Sequence, residues 1–299
     1  MGFGPTVSTD WLHGHLGDTS IVVLDASVEK ATAGAGGREW RSGRSSFETL
    51  GHVPGARFAD LLSAFSDPDA PFAFARPGAR HFARAAGALG LSGREKIVIY
   101  DTATGIWAAR LWWLFRAFGH DNVAVLDGGL AAWSREGRPL QRGPAAPVPE
   151  AEFPTQAREG YFVDKEDVRA IVDGRAPGFL ACVLRPPVFA GTERNYARPG
   201  HIPGSVNLPF ADLLDAGNRF LPTDALKRQL SPLLDRKEQI VAYCGGGITA
   251  AGTALALAIV GAGNVVIYDG SLSEWSADPA LPMTVTPARP LHPTDKEQS

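Results

Sequence analysis

An internal repeat restricts the fold of this chain more than any other feature of its 299 residues. Gly-His-Val-Pro-Gly begins at Gly51 and Gly-His-Ile-Pro-Gly begins at Gly200, and Ala-Asp-Leu follows in both places. Three segments recur in the same order in the two halves, namely 51–61 and 200–213, 97–101 and 240–244, and 123–133 and 265–275. Such an ordered set of matches indicates a tandem duplication, so both halves are expected to share one fold.

Each half alternates short apolar runs with helical stretches. Ile21–Asp25 is typical of a buried strand, and residues 108–118 and 249–260 are typical of helices. This alternation predicts an α/β protein of two tandem domains, each a mainly parallel sheet with helices on both faces. In such sheets ligands collect at the carboxyl ends of the strands, which is where Cys244 lies.

The domain boundaries follow from the repeat and from the distribution of proline. Residues 1–137 form the first predicted domain, 160–286 form the second, and 287–299 are interpreted as a polar tail. Five prolines between 138 and 159 exclude a continuous helix or a central strand, so this segment is predicted to be a semi-rigid linker.

The stretch 32–46 is rich in Gly, Ser and Arg and is predicted to be a loop. Its arginines are expected in solvent, although one of them could reach an anionic ligand: Arg38, Arg41 and Arg44.

The run 240–250 carries the candidate chemistry. An apolar strand ends at Cys244, three glycines follow, and helix-compatible residues continue from Thr249. Glycines can bend the backbone until successive N–H groups point at one atom, here the sulfur of Cys244. The positive end of the helix also favours the thiolate, which is the reactive form of cysteine. The alternative is a buried structural cysteine, but such a residue does not need three glycines after it.

Other chemistries of glycine-rich loops do not fit. A Walker-type phosphate loop needs a lysine before its final Ser or Thr, and the chain has Ile248 before Thr249. A phosphatase of the Cys-x5-Arg type needs an arginine where this chain has Ala250. The seven histidines show no ligand-like spacing, and no nucleotide fingerprint occurs, so neither a metal nor a cofactor is expected.

The first half has Asp101 at the position of Cys244. Thr102 to Gly105 take the place of the glycine loop. Because aspartate cannot carry sulfur, the first half is predicted to be catalytically silent and to close one wall of a cleft over Cys244.

Composition limits the partners and the location. The net charge of −3 and the sequence pI near 6.2 provide no basic field for nucleic acid. The most apolar stretch, 250–263, is too short to span a bilayer, and no signal peptide is recognisable. Two cysteines do not form a disulfide framework. We expect a cytoplasmic protein, monomeric or weakly dimeric, with no membrane partner.

The paired Gly-His-Val/Ile-Pro-Gly motifs, the glycine loop after Cys244 and the run from Tyr268 to Trp275 together resemble the rhodanese superfamily. The resemblance is to its two-domain thiosulfate and 3-mercaptopyruvate sulfurtransferases, whose first domain is inactive. It implies that Cys244 takes sulfur from a small donor as a persulfide and passes it to cyanide, a thiol or a thioredoxin-like acceptor. The backbone N–H groups that would stabilise charge on the sulfur are those of Gly245, Gly246, Gly247, Ile248 and Thr249.

The loop also bears on the donor. Thiosulfate-type members carry basic residues after the cysteine, whereas this chain has Gly245 and Gly246, which resembles the mercaptopyruvate type, Cys-Gly-Ser-Gly-Val-Thr. Gly246 replaces the serine that the mercaptopyruvate group is thought to use in handling protons. The resemblance therefore favours 3-mercaptopyruvate over thiosulfate as donor but leaves this proton relay incomplete.

Two arginines of the family pattern are replaced by Leu184 and Val188. Three nearby arginines are candidates to bind a carboxylate or sulfonate instead, with Arg198 first: Arg198, Arg194 and Arg185. Each could equally be a solvated surface residue. His52 matches a first-domain histidine that faces the site in the mercaptopyruvate type, and its alternative role is to cap a loop.

Cys182 ends a strand in the same half as Cys244 and could accept sulfur or form a disulfide with it, although a buried inert thiol is the alternative.

Two other functions of the protein also stay open. One is a persulfide relay fed by another protein, which needs no carboxylate pocket at Val188. The other is a non-catalytic binding module, which would have no use for an activated thiolate.

Overall fold

The computed structural model describes residues 4–31 and 39–286. The predictions for Arg38 and for the tail 287–299 lie outside the described residues. None of the helices in the described part of the chain is long and apolar enough to cross a membrane.

The first half contains a five-stranded parallel sheet with the strand order β1-β7-β6-β2-β5. Its strands are β1 (Thr6–Val7), β2 (Ile21–Asp25), β5 (Arg57–Phe58), β6 (Lys96–Tyr100) and β7 (Val123–Leu126). A separate hairpin pairs β3 (Val28–Ala31) with β4 (Glu39–Ser42) in antiparallel fashion. The helices are α1 (Thr9–Gly14), α2 (Arg44–Thr49), α3 (Ala79–Ala88), α4 (Ile106–Ala117) and α5 (Gly129–Arg135).

The second half repeats this order, since its sheet runs β8-β12-β11-β9-β10 and is also parallel. Its strands are β8 (Phe162–Val163), β9 (Phe179–Cys182), β10 (Val206–Asn207), β11 (Ile240–Tyr243) and β12 (Val265–Tyr268). Its helices are α6 (Lys165–Val172), α7 (Pro186–Ala190), α8 (Thr223–Leu234), α9 (Ile248–Ile259) and α10 (Ser271–Trp275), with a 3-10 helix at Phe210–Leu213. The predicted α/β fold of two tandem domains is confirmed.

The central strands are mostly apolar because helices cover both faces of each sheet. All four residues of β7, β11 and β12 are buried. The two halves meet where α4 packs against α9, which are equivalent helices of the repeat. Small residues in α9 permit close packing: a Cβ atom added at Gly252 would lie 2.5 Å from the ring of Phe210.

The prediction of a loop over residues 32–46 is wrong for its second part. Residues Glu39–Ser42 form β4, and α2 begins at Arg44. The hairpin is held by backbone pairing with β3, which composition does not reveal. The exposed Arg41 fits the expected solvated state, but the guanidinium of Arg44 lies 4.8 Å from the ring centre of Phe58.

The linker predicted for residues 138–159 is irregular but is not a free spacer. Phe153 is buried in the core of the first half. The backbone N–H groups of Ala151, Gln156 and Arg158 donate to carbonyl groups of the first half at 2.8–3.0 Å. One of these acceptors is Gly87, where an added Cβ atom would lie 2.2 Å from the Ala151 oxygen. The segment is therefore packed along the surface of the first half.

Candidate active site

Cys244 directly follows β11, at the carboxyl end of the central part of the second sheet. Gly247 has a φ of +72°, a conformation that L side chains rarely adopt, and it leads straight into α9 at Ile248. The segment 244–249, here called the Cys244 loop, therefore turns the chain back over the sulfur. The N–H groups of Ile248 and Thr249 belong to the first turn of the helix and have no partner within it.

Ser271, the first residue of α10, holds the Cys244 loop from just beyond the neighbouring strand β12. Its hydroxyl oxygen accepts hydrogen bonds from the N–H groups of Cys244 and Gly247, both at 3.1 Å. The same hydroxyl donates to the carbonyl of Tyr268 at 2.7 Å. Ser271 is fully buried and has a φ of +49°, which is uncommon for a residue with a side chain. The N–H of Gly247 therefore donates to Ser271, and the other members of the predicted set are the N–H groups of Gly245, Gly246, Ile248 and Thr249.

The first half shows what such a loop can hold. The carboxylate of Asp101, at the position equivalent to Cys244, accepts four backbone hydrogen bonds of 2.8–3.0 Å. The donors are Ala103, Gly105, Trp107 and Ala108. A loop between a strand and a helix in this fold therefore surrounds a carboxyl group with N–H groups. Burial raises the pKa of Asp101, and these four donors oppose that rise. This is the arrangement predicted around the Cys244 sulfur.

A cavity of about 570 Å³ opens over Cys244 between the two halves. Cys244 itself is only 2% exposed, and it lines the cavity together with Gly245, Gly246, Ile248 and Thr249. The opposite side comes from the first half and includes three aromatic rings, here called the aromatic wall: Trp40, Phe74 and Trp107. Their ring centres are 5.0–6.0 Å apart. The first half thus closes one wall of the cleft.

Two of the predicted arginines line the cavity. The guanidinium of Arg185, which is 61% exposed, forms an ion pair of 2.5 Å with Glu193. The guanidinium of Arg194 donates to the carbonyls of Tyr196 and Ala197. Both could turn toward an anionic ligand, because exposed contacts of this kind contribute little stability. Val188 is buried in the cavity wall, so it provides an apolar surface there.

The prediction that Arg198 leads the binding arginines is wrong. Its guanidinium donates to four backbone carbonyls at and beyond the end of α10, at 2.5–3.0 Å. The acceptors are Trp275, Ser276, Asp278 and Leu281. A guanidinium has five N–H donors in a planar fork and can satisfy several carbonyls at a helix end. Arg198 is committed to that structural role.

The expectation that His52 faces the site is also wrong, and the loop-capping alternative describes it better. His52 is fully buried, its Nδ1 atom lies 2.9 Å from the Phe47 carbonyl oxygen, and its ring stacks on Phe47. His201 makes the same contacts with Phe189 in the second half. A pair of contacts that recurs in both halves belongs to the fold.

Cys182 lies beside Tyr243 in the sheet, where the two residues are paired in parallel register. Successive residues of a strand point to opposite faces, so the side chains of Cys182 and Cys244 leave the sheet on opposite sides. Burial also raises the pKa of the Cys182 thiol to about 12. This placement supports the alternative of an inert buried thiol.

Several residues of the site were missed by sequence reasoning. Tyr196 packs so closely on the Cys244 loop that a Cβ atom at Gly245 would lie 2.1 Å from its hydroxyl oxygen. Asp269 forms a buried ion pair with Arg110 across the two halves. Ser271 and the aromatic wall complete this set. The position of Ser271 in the repeated segment 265–275 could have suggested its placement, but no sequence signal marks the tyrosine.

The described residues, 4–31 and 39–286, contain no cluster of His, Cys, Asp or Glu that could hold a metal ion.

The family model of the rhodanese-like domain matches the chain twice, at residues 8–136 and 162–278. The chain belongs to the rhodanese family.

Relatives and solved structures agree over most of the chain. Human 3-mercaptopyruvate sulfurtransferase is 40% identical over 249 residues, or 79% of this chain and 80% of the human protein. Mouse thiosulfate sulfurtransferase is 34% identical, over 90% and 91% of the two chains. The crystal structure of SseA from Escherichia coli, a 3-mercaptopyruvate sulfotransferase with the rhodanese fold, has a TM-score of 0.77 at 31% identity. It covers 91% of this chain and all of SseA. These similarities confirm the predicted class of sulfurtransferase.

Proposed function

We propose that this rhodanese transfers sulfane sulfur from a small donor, 3-mercaptopyruvate in preference to thiosulfate, through a Cys244 persulfide. The final acceptor is a thiophile such as cyanide, a small thiol or a thioredoxin-like protein, and the setting is the cytoplasm. The observation that carries the proposal is the placement of Cys244 in a loop whose counterpart holds the Asp101 carboxylate by four N–H groups.

The reaction has two half-reactions. The Cys244 thiolate attacks the sulfur of 3-mercaptopyruvate, an S–S bond forms, and the C–S bond breaks. The electron pair of that bond passes to the carbon skeleton, which takes up a proton and leaves as pyruvate. An acceptor thiolate or cyanide then attacks the outer sulfur, and the S–S bond electrons return to Cys244. Backbone N–H groups of the loop stabilise the charged sulfur in both steps.

The cavity favours a monoanionic donor with an apolar body. Gly245 and Gly246 provide no side-chain charge beside the sulfur, where a thiosulfate dianion would need one. Arg185 and Arg194, at the outer part of the cavity, can exchange their present partners for a carboxylate. The aromatic wall covers the opposite side and reduces the access of water to the persulfide.

Intact-mass spectrometry tests the first half-reaction directly. Wild-type protein incubated with 3-mercaptopyruvate is expected to gain one sulfur, on the order of 32 Da, and the Cys244→Ser variant is expected to gain none. Parallel incubation with thiosulfate identifies the better donor. A persulfide that also appears in Cys244→Ser would refute the assignment of the nucleophile.

Gly246 offers a matched pair of variants for the missing proton relay. A Cβ atom there would lie 3.6 Å from the Ala73 oxygen and 4.0 Å from Ser273 Oγ, so a small side chain fits. If proton handling limits the reaction, Gly246→Ser raises turnover of 3-mercaptopyruvate while Gly246→Ala does not. Equal effects of the two substitutions would show that the hydroxyl is irrelevant.

One observation favours a second candidate function. Val188 gives an apolar surface at the place where the family pattern has an arginine, so the cavity suits a donor without a carboxylate. A relay that receives sulfur from a protein persulfide meets that condition. Failure of both small donors to load a Cys244 thiol that alkylates readily would support this relay.

A further inference from the structure

Arg110 is a buried cation that the mechanism above does not use. It lies in α4 of the first half and forms an ion pair of 2.5 Å with Asp269 of the second half, with side-chain exposures of 1% and 6%. The same nitrogen, Nη2, also donates to the carbonyl of Phe74 at 2.8 Å. One guanidinium therefore connects the aromatic wall with the end of β12.

Both contacts of Arg110 lead to the site. Asp269 stands two residues before Ser271, whose hydroxyl accepts the N–H groups of Cys244 and Gly247. Phe74 lines the cavity with a φ of +64°, so its backbone conformation is one that a side-chain residue rarely adopts unaided. Fixing the Phe74 carbonyl to the same group as Asp269 sets the distance between the aromatic wall and the Cys244 loop.

A second feature places the charge of Arg110 close to the Cys244 loop. A Cβ atom built on Gly247 would lie only 3.0 Å from Arg110 Nη1. Within residues 4–31 and 39–286, Nη1 and Nε have no hydrogen-bond partner although both are buried. The guanidinium also lies 5.0 Å from the ring centre of Phe162, but burying a cation with two nitrogens that lack an acceptor is costly.

The repeat supplies an internal comparison. Arg110 is the fifth residue of α4, and the fifth residue of α9 is Gly252, which packs against Phe210. Asp127, the counterpart of Asp269, accepts the backbone N–H of Phe220 from the other half at 3.0 Å. The equivalent contact between the halves, made by α9, thus has Gly252 where α4 has Arg110. The arginine occurs only on the side that faces the Cys244 loop.

We propose that Arg110 is a positioning residue for the Cys244 loop, contributed by the half that lacks the nucleophile. It fixes the aromatic wall and the loop relative to each other and places a positive charge behind Gly247. The role rests on the proposed function insofar as that loop forms the persulfide. It also applies to any reaction of the Cys244 sulfur with an electrophile.

Alkylation of Cys244 by iodoacetamide tests this role without a sulfur donor. Arg110→Met alone would leave the buried Asp269 carboxylate with the Arg76 N–H as a donor but without its guanidinium, so the informative variant is Arg110→Met with Asp269→Asn. We expect this double variant to unfold close to the wild-type temperature but to alkylate at Cys244 at least tenfold more slowly. In single-turnover experiments, persulfide formation from 3-mercaptopyruvate is expected to slow by the same factor. In steady-state experiments, the KM for 3-mercaptopyruvate is expected to change less than twofold.

Two controls separate the arginine from its surroundings. Asp269→Asn alone keeps an amide oxygen for Arg110, at the expense of the Arg76 N–H that donates to the other carboxylate oxygen at 2.7 Å, and is expected to alkylate within about threefold of wild type. Arg116→Met removes an arginine at the outer end of the same helix, where it pairs with Asp121, and is expected to change nothing. A double variant that alkylates at the wild-type rate overturns the proposal, as does an equal loss in Asp269→Asn alone. Wild-type protein that alkylates but gains no sulfur contradicts the proposed function and leaves the alkylation comparison valid.

Discussion

Removal of the Ser271 hydroxyl is the most informative single change to the Cys244 loop. Ser271→Ala leaves the N–H groups of Cys244 and Gly247 without the acceptor that now lies 3.1 Å from each. A buried unsatisfied N–H costs about 1 to 3 kcal/mol. Because the loop borders the cavity and water can reach part of it, we expect a destabilisation of about 2 to 3 kcal/mol in total.

The loss of the hydroxyl is also expected to slow the chemistry. Without Ser271 Oγ, the two N–H groups are free to reorient and the loop no longer holds one geometry around the sulfur. A loss of one preorganised hydrogen bond, about 1.4 kcal/mol, corresponds to a tenfold slower step. Single-turnover reactions with 3-mercaptopyruvate, quenched at successive times and analysed by intact-mass spectrometry, measure the rate of persulfide formation. Urea denaturation measures the stability.

Ser271→Gly is the matched control, because the equivalent residue of the first half is Gly129 with a φ of +55°. Glycine also lacks the hydroxyl but adopts positive φ without strain, so it is expected to be about 1 kcal/mol more stable than alanine here. The two variants should therefore differ in stability and agree in rate. An alanine variant within about 0.5 kcal/mol of wild type that also loads sulfur at the wild-type rate would refute this account of the loop.

Three further outcomes are expected. Burial raises the pKa of Asp25 to about 6, so the folded state keeps a proton that the unfolded chain releases. Unfolding free energy should then fall by about 3 kcal/mol as pH rises from about 4 to 6, and Asp25→Asn should remove this dependence in denaturation curves. Arg198→Ala loses four carbonyl contacts and should lower stability by about 2 kcal/mol without changing the KM for 3-mercaptopyruvate. Arg194→Ala should raise that KM. The reverse pattern in steady-state kinetics would make Arg198 the binding residue and Arg194 the structural one. In Asp101→Asn the amide NH2 group must face two backbone N–H donors, which should lower stability in thermal unfolding by about 2 to 5 kcal/mol while Cys244 still loads sulfur. An unchanged stability would contradict the role of these N–H groups in holding the Asp101 carboxylate.

The duplication explains why much of the fold was predictable from sequence. Strands such as Ile21–Asp25 and 123–126 are continuous apolar runs bounded by turn residues, and they appear in the structure where the sequence places them. The Cys244 loop was recognisable because glycine spacing is a local property. The structure confirms the place of the loop between β11 and α9.

The errors concern side chains whose direction depends on distant contacts. Arg198 lies close in sequence to Val188, a binding-arginine position of the family, yet its guanidinium turns to the end of α10, about 80 residues away in the chain. His52 matched a family position, but its ring is taken up by Phe47. Trp40 reaches the cavity only because backbone pairing forms a hairpin in a stretch whose composition suggested a loop. Arg110 lies in an apolar helix, where sequence alone shows no reason to bury a charge.

The placement of the aromatic wall in one half and the nucleophile in the other has a consequence for how such a protein can change over time. Gly245 and Gly247 have no room for a side chain, since added Cβ atoms would meet Tyr196 at 2.1 Å and Arg110 at 3.0 Å. The loop that handles sulfur is therefore nearly fixed. Trp40 and Trp107 belong to the copy that carries no sulfur, and they can be replaced without touching the reacting atom. Substitutions in the half without the nucleophile can therefore reshape the cavity of this protein while the Cys244 loop stays unchanged.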